Sequence, residues 1–512
     1  MAWLKRNLFN YKFELLLALI VPFLLTARLT TFPPLMFTEG WVLSIARNWV
    51  KLGNYCQLMA GKPVSASMLN VGFPAIAPVA LSFRLLGVGI WQGRLPFVLF
   101  TLGSLILVYQ LATRLYCRSI ARGALAVLLL MSTVAGVNPL GVGKMALGEM
   151  PSMFYLLAGY LFFIRSLSMS SFISLLFTCT FWGLALITKL QPLPFLVVSL
   201  AVVSSLLVLR RSWRLSWLVG ASLPGALLSF GVMSLIQQGL LHDRALVETQ
   251  PGIFGVTAFV PVLSVRLLAM TSALLFASPA LLGICHGARR CLRDWRAVAV
   301  GELEAARLSL LILVGTWMAW CLLLASAGTR YLFPPAFLGS IFFSRMVYDL
   351  TDGFDFRLAL KRAAESMGRK CGKRSITALL MLLYITFAVS ITLKDMALAY
   401  AGADGSVIDT AEYINSCTRP GSLIETYDME LSFMLDRPCH YPANPTLIKL
   451  DRRFVLGKKV SIGYDPLKAN PDYLIVGPMT RTWRLYDAVL QTGAFRLVKR
   501  CGGYAIYKRS RR

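Results

Sequence analysis

The sequence predicts an all-α polytopic membrane bundle of about eleven transmembrane helices, followed by a small soluble α/β domain. Three observations carry that prediction. Of the 512 residues, 57% are hydrophobic and only 15% charged, with a mean hydropathy of +0.65, too apolar for a chain that folds in water. Long uncharged stretches recur through residues 1–393, and a helix needs roughly 20 apolar residues to cross a bilayer. From about residue 394 to residue 512 the apolar runs shorten to strand length.

Hydropathy places the spans near 14–32, 95–113, 123–140, 151–164, 171–188, 193–209, 215–236, 262–284, 308–326, 331–348 and 375–393. The basic residues test that count, because cytoplasmic loops collect Lys and Arg. They gather at Lys5, Arg6 and Lys12, at Arg114, Arg118 and Arg122, and at Arg210, Arg211 and Arg214. They gather again at Arg289, Arg290, Arg293 and Arg296, and from Arg357 to Arg374. All five clusters share one side if the N-terminus is cytoplasmic and eleven spans follow. Loops 33–94, 141–150, 189–192, 237–261 and 327–330 then lie outside, with everything after about Leu393. The net charge of +28 reads as this membrane-surface bias. It does not read as a nucleic-acid footprint, since no soluble module interleaves a basic face with aromatics. The apolar run from Leu15 to Leu25 is followed by no small-residue cleavage site, so it predicts an uncleaved first helix.

The tail, 394–512, offers strand-length runs at Ser422–Thr426 and Tyr473–Gly477 and helical periods at Asp409–Cys417 and Trp483–Gln491. Gly502-Gly503 between Phe495–Cys501 and Tyr504–Lys508 predicts a hairpin turn. Roughly 110 residues are enough to bury a core of their own.

Two carboxylates stand where a helix meets the outer surface, Glu39 and Glu149. Desolvating a carboxylate beside a span is costly, so such residues tend to line sites, although either alone also fits a solvated loop. On the same side lie Arg84, Arg94, Lys144, Lys189, Arg244 and Arg330. Any one of these fits a snorkelling interface residue. Several together run against the positive-inside trend and suggest an anion site near membrane depth, such as a lipid phosphate. A carboxylate beside a phosphate site suits glycosyl transfer from a lipid-phosphate sugar. That reaction needs a base for the acceptor hydroxyl and positive charge against the departing phosphate. Phosphate leaves unprotonated, so no second carboxylate is needed as an acid, unlike glycoside hydrolysis. A second carboxylate would position the acceptor or hold a divalent cation such as Mg or Mn.

His242, His286 and His440 do not cluster in sequence. The ten cysteines show neither a CxxC pair nor zinc spacing, and most fall in predicted helices as small apolar fillers. Cys417 and Cys439 lie in the outer domain, where oxidation is permitted. A disulfide between them is one candidate pairing, with Cys501 and Cys56 as rival partners.

In order and sidedness these features resemble the GT-C glycosyltransferases of the protein O-mannosyltransferase and lipid A aminoarabinose transferase kind. Thr38-Glu39 stands where that family has an Asp-Glu pair, and Gln92-Gly-Arg-Leu-Pro96 matches an Arg-Leu-Pro opening the second span. Ala146-Leu-Gly-Glu-Met-Pro-Ser152 matches a second acid opening the fourth span, and Lys189 a lysine near the end of the fifth. Thr329-Arg-Tyr-Leu-Phe-Pro334 matches an Arg-Tyr before a Pro-containing span. Within the tail, Ser422–Tyr427, Pro471–Gly477 and Gly503–Tyr507 look like the outer domain of bacterial members.

The resemblance implies an inverting transferase in the bacterial inner membrane. It would move sugar from a polyprenyl-phosphate donor to an envelope lipid, glycan or protein at the outer face. Glu39 would be the base, and Glu149 would position the acceptor or hold metal. Lys189, Arg330, Tyr331 and Arg94 would bind the donor phosphate, in a cavity capped by a periplasmic domain. Two departures bear on this: Thr38 replaces the pair's first acid, and Gly72-Phe-Pro-Ala75 replaces a Lys-Pro-Pro-Leu, removing a phosphate-binding lysine. Two other readings stay open, a lipid or oligosaccharide transporter and a non-catalytic polyprenyl-lipid-binding homologue. The first predicts symmetric halves and polar residues deep in mid-span, which the sequence does not display; Thr38 leaves room for the second.

Overall fold

A computed structural model describes residues 12–66, 70–132, 136–241, 258–294, 301–358, 361, 373–402, 404–443 and 445–510. Lys5, Arg6, His242, Arg244, Arg296 and most of the predicted basic run from Arg357 to Arg374 lie outside the described residues.

Each region predicted to span carries a helix. These are Lys12–Thr26, Ile90–Leu115, Arg118–Leu130, Glu149–Met169, Phe172–Thr188, Leu193–Leu209, Trp213–Leu240, Leu263–Phe276 with Ser278–Asp294, Glu302–Leu323, Phe333–Leu350 and Lys373–Ala401. Among the described residues five helices are long and apolar enough to cross a membrane, or up to six if the bent pair is one span. Length and apolarity therefore support fewer crossings than the eleven expected.

Three boundaries differ for identifiable reasons. The segment expected at 123–140 is helical only to Leu130. Asn138 then caps a separate turn, Pro139–Val142, its side-chain oxygen accepting from the Leu140 N–H at 2.8 Å. The segment expected at 262–284 is two helices meeting at 87°, because Pro279 has no N–H to give the Leu275 carbonyl four residues back and its ring crowds that carbonyl. The last helix runs on to Ala401, past the boundary expected at 394, so the outer domain's own elements begin at Ser406.

The expected first loop, 33–94, is structured. It holds two helices, Phe37–Leu52 and Phe73–Leu86, and a hairpin of β1 (Gln57–Met59) and β2 (Lys62–Val64). Within the bundle, Phe195 stacks on Trp317 at 5.0 Å, and Gly159 leaves room for the Trp182 ring against its helix. A hydroxyl cluster lies at mid-bundle, where Ser199 donates to the Ser309 carbonyl at 2.6 Å and Tyr160 meets the Ser309 hydroxyl at 3.2 Å. These hydroxyls satisfy one another, as polar groups in lipid must.

The tail forms a five-stranded sheet, with β3 (Ile424–Glu425), β4 (Cys439–His440), β5 (Tyr473–Val476), β6 (Phe495–Cys501) and β7 (Tyr504–Arg509) in the order β4-β3-β5-β7-β6. Strands β3, β4 and β5 run parallel, and the β6–β7 hairpin turns at Gly502-Gly503 as predicted. This domain shares a core with the first loop. A Cβ on Gly40 would collide with the Met429 and Glu430 backbone, so only glycine lets the Phe37–Leu52 helix lie against Met429–Met434. Arg47 Nη1 donates to the Phe433 carbonyl at 2.7 Å, and the Ala60 N–H donates to the Cys439 carbonyl at 2.7 Å. The candidate Cys417–Cys439 disulfide is not formed. Cys417 ends an exposed helix turn while Cys439 is buried in β4, and these two thiols, Cys56 and Cys501 are all free.

Candidate active site

The segment 144–149 ties the outer face together, one contact after another. Lys144 is buried, with Nζ donating to the Ala27 carbonyl at 2.7 Å between the rings of Phe32 and Tyr400, at 5.0 and 4.5 Å. Tyr400 belongs to the last helix, and its hydroxyl donates to the Leu24 carbonyl of the first at 2.7 Å. Arg28 Nη1 donates in turn to the Tyr400 carbonyl. Two residues on from Lys144, the Ala146 N–H donates to Glu39 Oε1 at 2.9 Å. Gly148 packs on the Thr188 carbonyl, and Glu149 opens its helix against Lys189.

Glu39 and Arg94 form a bidentate pair with neither side chain exposed, Nε to Oε1 at 2.7 Å and Nη2 to Oε2 at 2.8 Å. Arg94 Nη1 also donates to the Leu29 and Pro33 carbonyls, both at 2.8 Å. The pair thus fastens the second predicted span, the first loop and the Ala146 turn to one another. Thr38 beside it is half-buried.

Glu149 is buried and has two cations. Lys189 Nζ donates to Oε1, and Arg330 Nε lies 4.0 Å from the same oxygen with a third of its side chain open. Each position follows from local structure. Glu149 begins a helix, Lys189 leaves the Phe172–Thr188 helix in extended conformation, and Arg330 sits in the 3-10 turn Thr329–Leu332. Two cations on one carboxylate leave a net positive charge at a partly open face. The Arg330 guanidinium lies 5.7 Å from the centre of the Tyr331 ring, which packs edge-on to Trp320. Gly72, in the segment that replaces the expected lysine motif, receives no side chain here. Its N–H donates to the Thr188 carbonyl at 3.0 Å, and a Cβ would strike Ile187.

The six residues singled out in the sequence therefore fall into two groups, Glu39 with Arg94 and Glu149 with Lys189, Arg330 and Tyr331. Arg84 is exposed and apart from both. His286 meets Asp349 at 3.1 Å, and His440 meets Glu425 at 2.6 Å.

Three features had no signal in the sequence. Thr188 Oγ1 and both polar atoms of Gln191, flanking Lys189, are buried with no hydrogen-bond partner among the described residues. Asp451 lies on the helix Pro445–Phe454 of the C-terminal domain; burial lifts its carboxyl to about 6, although the Arg330 charge pulls it down. A buried acid pair, Asp428 and Glu430, lies where that domain meets the first loop. Asp428 accepts from the Gly477 and Met479 N–H groups at 2.8 and 3.0 Å and from Thr480 Oγ1 at 2.6 Å. Glu430 has only the Tyr504 hydroxyl, at 2.7 Å, and an unpartnered Oε2. The donors favour charge on Asp428, so the proton stays on Glu430, which burial and its neighbour push up to about 8.

A divalent ion does not fit Glu39 and Glu149, since each carboxylate is already matched by a cation. Among the described residues no three His, Cys, Asp or Glu side chains gather at metal distance.

No family model matches the sequence, and no curated protein matches it significantly. Solved structures do. ArnT from Cupriavidus metallidurans bound to undecaprenyl phosphate superposes with a TM-score of 0.61 at 14% identity, covering 97% of this chain and 98% of that one. The chain shares the fold of that structure. A second structure agrees, the oligosaccharyltransferase AglB from Archaeoglobus fulgidus with an inhibitory peptide and a dolichol-phosphate. Its TM-score is 0.56 at 12% identity, covering 98% of this chain and 75% of that one. The same Archaeoglobus enzyme has been solved with Zn and sulfate, at a TM-score of 0.53 and 12% identity over 92% of this chain and 69% of that one.

Proposed function

We propose that this chain is an integral-membrane glycosyltransferase. It takes sugar from a polyprenyl-phosphate donor and passes it to an envelope acceptor at the outer face of the bacterial inner membrane. The observation that carries this reading is the Glu149–Lys189–Arg330 cluster. A net positive site at the ends of apolar helices is built for a lipid phosphate, and the ArnT structure with the same fold holds undecaprenyl phosphate.

Lys189 and Arg330 meet the phosphate as its charge grows on departure, and Tyr331 fixes the guanidinium. Glu149 holds both cations in place before the donor arrives, which is the preorganisation such catalysis needs. Leaving a buried polar atom bare costs about 1–3 kcal/mol, so Thr188 and Gln191 mark where sugar hydroxyls bind. Glu39 and Arg94 serve structure instead: a carboxylate that accepts four hydrogen bonds in a closed site has no path to an acceptor hydroxyl.

Mass spectrometry of envelope glycans and lipid A, with and without the gene, tests the proposal. One sugar-bearing species should vanish in the deletion strain and return on complementation; an unchanged envelope would refute it. The non-catalytic reading, favoured by Thr38, predicts undecaprenyl phosphate binding with no lost species. Topology has its own test. Reporter fusions after Arg374 should read cytoplasmic and fusions after Tyr427 periplasmic, and both on one side would remove the proposed sidedness.

A further inference from the structure

The helices Ile90–Leu115 and Glu149–Met169 are both long and apolar enough to cross a membrane, and they pack side by side. Glu149 and its two cations occupy one end of the second helix. At 1.5 Å per residue, Arg165 stands about 24 Å further along it, at the opposite membrane face. There an open cleft of about 360 Å³ lies between these two helices and the start of Glu302–Leu323. Arg114, Ile164, Arg165, Ser168, Met169 and Leu303 line it.

The charges around this cleft do not balance. Glu302 accepts from Arg214 at 2.8 Å, and Arg214 also donates to the Leu167 carbonyl. Glu304 is matched by Arg307, whose Nε donates to the Leu115 carbonyl at 2.6 Å. Glu14 is shared by Arg118 and Arg122, both at 2.9 Å. Each of these acids is taken. Arg114 and Arg165 are exposed, and among the described residues neither has a hydrogen-bond or ion-pair partner. A lone arginine at an interface snorkels to water and needs no cavity. Here two unmatched guanidiniums share one cleft, whose buried Ile164 and exposed Met169 and Leu303 are apolar. The guanidinium fork matches phosphate oxygens. A free phosphate would leave the apolar wall against water, whereas a lipid covers it with its acyl chains.

We propose that this cleft binds the headgroup of an anionic phospholipid, drawn from the leaflet opposite the Glu149 cluster. Arg114 and Arg165 hold the phosphate, and the acyl chains run on along the apolar helix surface beside Met169 and Leu303. Basic pockets between membrane helices recognise such headgroups in this way. The site stands apart from the transfer reaction, so its failure leaves that reading untouched.

Native mass spectrometry of the purified full-length protein tests it, with titrations of cardiolipin, phosphatidylglycerol, phosphatidylethanolamine and inorganic phosphate. Wild type should hold the two anionic lipids more tightly than the zwitterionic one. Arg114→Gln with Arg165→Gln should weaken cardiolipin binding roughly 30-fold, about 5-fold for each charge, with an unchanged size-exclusion peak. Arg114→Lys with Arg165→Lys should keep most of the binding. Arg84→Gln, on the first-loop helix and outside the cleft, should leave it as in wild type. Equal cardiolipin binding by wild type and the double Gln variant overturns the site, as does equal binding of anionic and zwitterionic lipids by wild type. Inorganic phosphate that displaces cardiolipin at equal concentration would assign the cleft to a soluble anion and overturn the lipid assignment. Should the double variant fail to fold, Arg165→Gln alone decides between a roughly 5-fold loss, as proposed, and none, which overturns it.

Discussion

The Glu39–Arg94 pair and the Glu149–Lys189–Arg330 cluster begin from the same sequence signal, a carboxylate and cations at outer helix ends. The first is closed. One carboxylate meets one guanidinium in two parallel hydrogen bonds, the geometry that satisfies both groups, and neither side chain touches solvent. The second is unbalanced, with two cations on one carboxylate and Arg330 a third open. Charge type and position in sequence are alike, so the balance of charge and the degree of closure separate the closed pair from the cluster proposed to bind a phosphate.

Breaking the closed pair should have the largest effect. Removing one partner of a buried ion pair leaves a bare charge and costs about 3–5 kcal/mol. Arg94→Ala should therefore lose most folded protein in detergent, seen as a collapse of the monodisperse peak in size-exclusion chromatography. A well-folded Arg94→Ala protein with only weak donor binding would move the pair into the site. The open cluster should answer differently. Arg330→Ala should cost about 1.5–3 kcal/mol in donor affinity or turnover, the range for one charge-assisted contact, with thermal stability near wild type. Unchanged donor use would make Arg330 a helix anchor.

Smaller effects probe how the outer domain holds both groups in register. Gly40→Ala pushes a methyl into the Met429–Glu430 backbone, and overpacking of this kind costs about 1–3 kcal/mol. Differential scanning should show a lowered melting temperature, and proteolysis should release the outer domain first. Another effect is graded by pH. Folding raises the Glu430 carboxyl to about 8 from an ordinary 4.5, so the folded state holds the proton more tightly than the unfolded chain. The resulting stability is complete below pH 4.5 and is lost as pH rises through about 8. Melting temperature should decline between pH 6 and 9, and Glu430→Gln should flatten that slope.

The helices of the bundle were legible in the sequence because a lipid-facing helix must be apolar over its length. The β6–β7 hairpin was legible because its glycine pair marks the turn. Phe37–Leu52 and Phe73–Leu86 were not, since they bury one face against the outer domain and look like loop to a hydropathy scan. Lys189, Arg330 and Glu149 stand together as their order suggested. Arg94 does not join them, because which carboxylate a cation meets depends on helix packing that no spacing encodes.

Lys144 carries one further consequence, in the timing of biosynthesis. Its ammonium rests on the Ala27 carbonyl and on two rings, one of them Tyr400 at the end of the last bundle helix. Ala27, Phe32 and Lys144 leave the ribosome more than two hundred residues before Tyr400 does. Until then half of the cage is missing and a cation waits at the membrane boundary. The last helix to be made is therefore the one that locks the segment carrying Glu149, and a chain cut short before Tyr400 would expose an unpaired lysine to the machinery that removes unfinished membrane proteins.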